Sequence, residues 1–314
     1  MKNKKLKIIA GPCSFDPKHM DEILRFGQMK VGQYNAVWGV RMVGLKSRTN
    51  YENDPNKMGI DLDYFNEMRK HMNDLLDLNF ALQEEFFLVP QTFHYMLEIL
   101  RSTHLVIAFE VVDPLLQLRK FIDKQFDGRL FIWNPAVNQL GWQVAIMGEF
   151  ARKYDWWIGL KNGKWLGEKL EIAESDDYQG ETSLEKTWKG LATYADHPGK
   201  TIYIQRGIDV PEKGDYRNYP IHKTAARVKK STGAMMFFDP SHTCGPKLRD
   251  KIVEETISAM QMKISDDEYL YDGILIEVGT SKTDTDQHIS LDDFRYLIKE
   301  LAVFRDLDAL QVDI

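Results

Sequence analysis

A single (β/α)8 barrel, an α/β fold, is the class that this sequence predicts, and three observations predict it. The chain has 314 residues, a natural length for one barrel of this kind. Eight short apolar runs recur along it, continuous rather than alternating, as strands buried on both faces read. Amphipathic helical stretches lie between them, and alternation of strand and helix points to a parallel sheet.

Taken in order, the strand-like runs are residues 6–10, 37–45, 106–112, 130–133, 156–160, 201–205, 234–238 and 273–278. Each ends in polar or glycine-containing sequence. Helical periodicity shows in Leu62, Phe65, Met68, Met72 and Leu75, and again in Phe294, Leu297, Leu301 and Phe304, which recur at three- or four-residue spacing. No linker rich in Pro, Gly or Ser divides the chain, so one catalytic domain over 1–314 is expected. Residues 67–90 and 164–199 read as insertions in the crossovers, the second polar and charged.

Composition excludes several classes. Hydrophobic residues make up 43% and charged residues 28%, enough for a full core and too ordered a mixture for a disordered or collagen-like chain. No apolar run reaches the roughly 18 residues that a membrane span needs. A formal net charge of −6, from 41 basic and 47 acidic residues, lacks the basic excess of nucleic-acid binders. Residues 1–7 carry four lysines, but the apolar stretch that follows, Ile8-Ile9-Ala10, stops at Gly11-Pro12, too short for a signal peptide. Two cysteines, Cys13 and Cys244, suit a reducing compartment, and a cytoplasmic location is expected.

In a (β/α)8 barrel the chemistry sits at the carboxyl ends of the strands. Those ends read Gly11-Pro12-Cys13-Ser14, Arg41 with Lys46-Ser47-Arg48-Thr49, Glu110 with Asp113, Lys161-Asn162-Gly163, Arg206-Gly207, Asp239-Pro240-Ser241-His242 and Glu277. Cations, a thiol, an imidazole and carboxylates thus gather on one face, which suits an enzyme acting on an anionic substrate. Two constellations follow. Cys13, His242 and Glu277, with Asp284 or Asp286, bring together the donor types that hold a divalent transition metal. Arg41, Lys46, Arg48, Lys161 and Arg206 form a cationic set, in which guanidinium forks grip carboxylate or phosphate and lysine supplies a point charge or a proton.

In that order the motifs resemble the 3-deoxy-arabino-heptulosonate 7-phosphate (DAHP) synthases of class I. They also resemble their sister family, the 3-deoxy-manno-octulosonate 8-phosphate synthases. These are barrels that condense phosphoenolpyruvate with a sugar aldehyde, and the resemblance runs from residue 8 to about 304. It implies Cys13, His242, Glu277 and Asp286 as ligands of a Mn, Zn, Fe or Co ion, with Cys13 and His242 thereby catalytic. Asp286 is chosen over Asp284 for its position before the last helix. It implies Arg41 and Lys46 around phosphoenolpyruvate, Lys161 and Arg206 on its phosphate, and Arg48 with Thr49 on the phosphate of the acceptor. Lys46 is the implied proton carrier at the aldehyde oxygen. The Lys-Ser-Arg-Thr stretch favours the heptulosonate branch, with erythrose 4-phosphate as acceptor, a place in aromatic amino acid biosynthesis, and a homodimer or homotetramer.

The sequence also departs from the pattern. After the fourth strand the heptulosonate enzymes place an arginine on the phosphate, whereas here Asn134-Pro135-Ala136-Val137-Asn138-Gln139 carries none. A lost charge-assisted hydrogen bond costs about 1.5–3 kcal/mol, and Asn138 or Gln139 is the candidate neutral donor in its place. The stretch from Glu277 to Asp286 is shorter than usual, Cys244 reads as an incidental turn residue, and no added regulatory domain is expected. Two alternatives stand beside the main reading. One is the same chemistry on arabinose 5-phosphate, a hexosamine or another aldehyde, and the other is a non-catalytic barrel that only binds. Trp142, Trp156 and Trp157 read as core residues, with an oligomer interface as the alternative.

Overall fold

Described in the computed structural model are residues 2–15, 19–43, 93–122, 124–280 and 286–310. Barrel strand β1 spans Lys5–Gly11, β2 Gly39–Arg41, β3 Val106–Glu110, β4 Leu130–Trp133, β5 Trp157–Lys161, β6 Thr201–Gln205, β7 Met235–Phe238 and β8 Gly273–Glu277. Each pairs in parallel with the next, and β8 returns to β1 with Gly273 opposite Lys7 and Glu277 opposite Gly11. The sheet is therefore closed: an eight-stranded parallel barrel with helices around it, the (β/α)8 fold. All eight predicted runs contain a strand. The third stops at Glu110 rather than at 112 because the Gln117 side-chain oxygen accepts from the backbone N–H groups of Val112 and Asp113, both at 2.8 Å, which takes them out of the ladder.

Around the barrel lie α1 (Met20–Gln28), α2 (Phe93–Ser102), α3 (Gly141–Lys153), α4 (Ser183–Ala195), α5 (His222–Thr232), α6 (Ile252–Gln261) and α7 (Leu291–Phe304). In α7 the predicted stripe faces inward: Phe294, Leu297 and Leu301 are inaccessible, and Phe304 is partly buried. The periodic residues 62–75 and the segment 67–90 lie outside the described residues. Residues 164–199 include α4, which packs on α3 and β5. They also include Glu174, whose carboxylate accepts from the N–H groups of Lys223 and Thr224, both at 2.9 Å, at the start of α5. No helix among the described residues is long and apolar enough to cross a membrane.

Strand side chains alternate between the two faces of the sheet. One row fills the barrel: Ile9, Val106, Ala108, Phe131, Trp133, Ile202, Ile204, Phe237 and Leu275. The other row packs beneath the helices, with Ile8, Ile107, Ile132, Ile158, Tyr203, Met236 and Ile274. Burying each such side chain contributes about 1.5–3 kcal/mol. The interior aromatics leave no room on β5: a Cβ at Gly159 would stand 2.6 Å from the Phe131 ring and 2.8 Å from Ile204. Trp156 is core, stacked on Phe150 at 6.2 Å, Trp157 is partly buried against the interior, and Trp142 is exposed.

Candidate active site

The same alternation sets the site. Two residues beyond the interior positions 9, 39, 108, 159, 204, 237 and 275 stand Gly11, Arg41, Glu110, Lys161, Arg206, Asp239 and Glu277. They form the top layer of the barrel at the carboxyl ends of the strands. Gly11 must be glycine here. Its φ is +144°, and a Cβ would come within 3.1 Å of the Arg41 backbone nitrogen, so the bare backbone lets β1 close on β2 beside the arginine.

Arg41, Lys161 and Arg206 are each at least 97% buried, and Asp239 and Glu277 are wholly so. Arg41 Nη2 lies 3.2 Å from Glu277 Oε1. Lys161 Nζ lies 3.0 Å from Asp239 Oδ2, with the Trp133 ring 5.6 Å away. His242 follows Asp239 in the one-turn helix Pro240–Cys244, where its Nδ1 is 3.0 Å from Asp239 Oδ1 and its backbone N–H also donates to that oxygen. Glu110 Oε2 accepts from Trp133 Nε1 at 3.2 Å. The strand-end asparagines are structural: Asn134 Oδ1 accepts from Lys161 N–H and Asn162 Oδ1 from Arg206 N–H, which fixes the backbone under each cation.

Charge at this depth is decided by neighbours. Burial opposes the charge on Arg41, but Glu277, Cys13, Asp239 and Glu110 outweigh it and raise its pKa. Burial drives Lys161 down, against the pull of Asp239, and drives Arg206 down to about 10. Burial also works against the carboxylates. Yet His242, Lys161 and Arg41 hold Asp239 well below the usual range, and Arg41 with His242 brings Glu277 to about 2. His242 is pushed down to about 4, chiefly by burial, so it is a neutral imidazole near pH 7. At the mouth three buried guanidinium nitrogens, Arg41 Nε, Arg41 Nη1 and Arg206 Nη1, have no hydrogen-bond partner among the described residues. An unpaired buried charged donor is costly, and such donors suit an anion.

The expected metal centre does not assemble. Among the described residues no group of three or more His, Cys, Asp or Glu is placed to hold a metal ion. The carboxylates are engaged elsewhere. Glu277 Oε1 faces Arg41, with His242 Nδ1 at 3.6 Å, and its Oε2 accepts from Gln287 Nε2 at 2.9 Å. Asp286 is exposed and paired with Arg249 at 2.8 Å. Cys13 is buried, with its backbone N–H donating to His288 Nε2 at 2.9 Å. These residues do not fit the Mn, Zn, Fe or Co ion that the motif order implies, and that expectation is corrected.

Of the remaining expected residues, Lys46, Arg48 and Thr49 lie outside the described residues. Asn138 is half-buried. Its Oδ1 accepts from Leu140 N–H and its amide donates to Gln143, while Gln139 Nε2 donates to Lys161 O at 3.2 Å. Cys244 is buried, and burial pushes its thiol up to about 12. Sequence reasoning passed over Gln287, His288 and Arg217, which come from connecting segments. No strand-end position marks them, although three polar residues in a row after Thr285 were a visible signal. No family model matches this chain, and no curated protein matches it.

Proposed function

We propose that the barrel mouth binds phosphoenolpyruvate and condenses it with a phosphorylated aldose, erythrose 4-phosphate first, to give DAHP and inorganic phosphate. The observation that carries this reading is the set of unpartnered, buried guanidinium donors of Arg41 and Arg206 beside Lys161. They suit a small, doubly anionic molecule, and the order of strand-end motifs resembles the DAHP synthases. Arg41 takes the carboxylate side, and Lys161 and Arg206 take the phosphate, an electrostatic cradle fixed before the substrate arrives.

In the reaction C3 of phosphoenolpyruvate bonds to the aldehyde carbon, and the aldehyde oxygen gains a proton. Water then adds at C2, and the carbon–oxygen bond of the resulting hemiketal breaks to release phosphate. Lys46 is the proposed proton donor at the aldehyde oxygen. His242 is neutral and oriented by Asp239, which suits it to take a proton from the water. A second reading, the same condensation with another acceptor, is favoured by the neutral segment 134–139 where relatives carry an arginine.

Loss of phosphoenolpyruvate and release of phosphate, followed against erythrose 4-phosphate, arabinose 5-phosphate and unphosphorylated sugars, tests both. Turnover with erythrose 4-phosphate is expected. Turnover only with another aldehyde establishes the second reading, and turnover with none leaves a barrel that binds without this chemistry.

A further inference from the structure

We infer that Arg217 and Gln287 are positioning residues that set Arg41 for its anion, acting through Glu277. The inference rests on the anion-binding reading of the mouth. A relay joins two loops to two strand ends. Arg217, after β6, donates through Nη1 to Gln287 Oε1. Gln287, after β8, donates through Nε2 to Glu277 Oε2 at 2.9 Å. Glu277 Oε1 then faces Arg41 Nη2 at 3.2 Å. Gln287 and Glu277 are wholly inaccessible, and Arg41 is 1% exposed.

The amide is what makes the relay directional. A glutamine presents one acceptor and two donors, so the guanidinium of Arg217 fixes the oxygen end and turns the NH2 end onto Glu277. One carboxylate oxygen is thereby engaged, and the other faces Arg41 Nη2 at 3.2 Å, with His242 Nδ1 at 3.6 Å. A carboxylate free to rotate would present either oxygen to Arg41, and the fork would follow it. Held as it is, Arg41 turns Nη2 to Glu277, and its Nε and Nη1 have no hydrogen-bond partner among the described residues. Such donors suit the oxygens of a carboxylate or phosphate.

Arg217 is itself held. Its N–H donates to Cys244 O and that of Asn218 to Thr243 O, while the Asn218 amide donates to His242 O. The turn is pressed close: Gly207 has a φ of +78°, and a Cβ there would meet Asn218 O at 2.6 Å. The β6 loop therefore sets the imidazole turn and the Glu277 carboxylate together, so both ends of the mouth are ordered by one segment.

The test is a double-mutant cycle on ligand binding in the full chain. Dissociation constants for phosphoenolpyruvate and for inorganic phosphate are measured by calorimetry for the parent, Gln287→Leu, Arg41→Met and the double variant. Arg217→Met is the second probe, since its side chain is only part-buried and folding is less exposed to its loss. Loss of Gln287 or of Arg217 is expected to weaken both ligands about tenfold in the parent background. In the Arg41→Met background, with no fork left to set, neither loss has a further effect. Equal losses in both backgrounds, or unchanged binding in the parent background, overturn the inference. If phosphate binding shows the coupling but no aldehyde supports turnover, the relay stands and the condensation reading falls. A parent chain that binds neither ligand overturns both.

Discussion

At the scale of single residues, this protein places charge where solvent cannot help it, and neighbouring groups decide the state of each charge. Lys161 is the clearest case: burial lowers its pKa, Asp239 opposes that, and the Trp133 ring walls one side. Replacing it as Lys161→Met removes a charge-assisted contact to the proposed substrate, with an expected cost of about 1.5–3 kcal/mol, roughly a 10- to 150-fold rise in the dissociation constant for phosphoenolpyruvate. Equilibrium titration reads this directly, and an unchanged constant removes Lys161 from the binding site. His222, outside the mouth, makes a different prediction. Its Nδ1 lies 2.7 Å from the Tyr271 hydroxyl, and burial lowers its pKa from 6.5 to about 4. Between those values the unfolded chain binds the proton and the folded chain does not. The stabilising difference is therefore complete above pH 6.5 and is lost as the pH falls towards 4, on the order of 3 kcal/mol in all. Thermal midpoints measured from pH 7 down to 4.5 should fall less steeply for His222→Gln than for the parent, and parallel curves would show that this imidazole does not carry the effect.

At the scale of elements, the helices owe their seats to small details of contact. Helix α4 begins with a capping box. Thr182 Oγ1 accepts from Glu185 N–H at 3.1 Å, and Glu185 Oε2 accepts from Thr182 N–H at 2.8 Å, which satisfies two donors at the helix start. The same carboxylate binds Arg227 of α5 through Nε at 2.9 Å and Nη2 at 3.1 Å, so one cap joins two helices. Helix α3 approaches the end of α4 so closely that a Cβ on Gly148 would stand 2.0 Å from Ala195 O. Gly148→Ala forces the pair apart and is expected to cost about 1–3 kcal/mol despite the better helix propensity of alanine. Chemical denaturation checks the sign: a gain in stability would mean that the α3–α4 contact is looser than it stands here. These contacts also show what was legible at this scale. The stripe at Phe294, Leu297 and Leu301 forecast a buried face of α7 because helical periodicity survives any packing arrangement. The dual use of Glu185 was not legible, because Arg227 is 42 residues away in sequence and only the closing of α4 against α5 brings it near.

At the scale of the molecule, closure of the barrel is supported at the amino-terminal face by Arg305. Its guanidinium donates to the carbonyls of Asn3, Lys4, Lys5, Met260 and Tyr271 and stacks 4.1 Å from the Tyr269 ring. It thereby ties the last helix to both strands of the closing seam. A lysine cannot copy a planar fork with five donors. Arg305→Lys is expected to destabilise the fold by about 3 kcal/mol or more, through carbonyls left without donors. A denaturation midpoint unchanged by this substitution would place the strength of the seam in the β1–β8 ladder alone.

What the sequence determined by itself is the repeating part of this structure. Continuous apolar runs name eight strands, and period-two counting along each carries Arg41, Lys161, Arg206, Asp239 and Glu277 to the inward row at one end, since strand alternation needs no knowledge of neighbours. What only the tertiary structure decided is which of these groups meet. The motif order suggested that Cys13, His242, Glu277 and Asp286 would converge on a metal. The folded chain brings His242 Nδ1 to 3.6 Å from Glu277 Oε1, but sets Glu277 between Arg41 and Gln287, His242 on Asp239, and Asp286 outward on Arg249. Pairing across a barrel mouth depends on strand stagger and on how each connecting loop returns, and neither is written in residue type or spacing. In a buried site of low dielectric the nearest opposite charge dominates, so ångström-scale differences in that return decide which carboxylate is a ligand and which is a counter-ion.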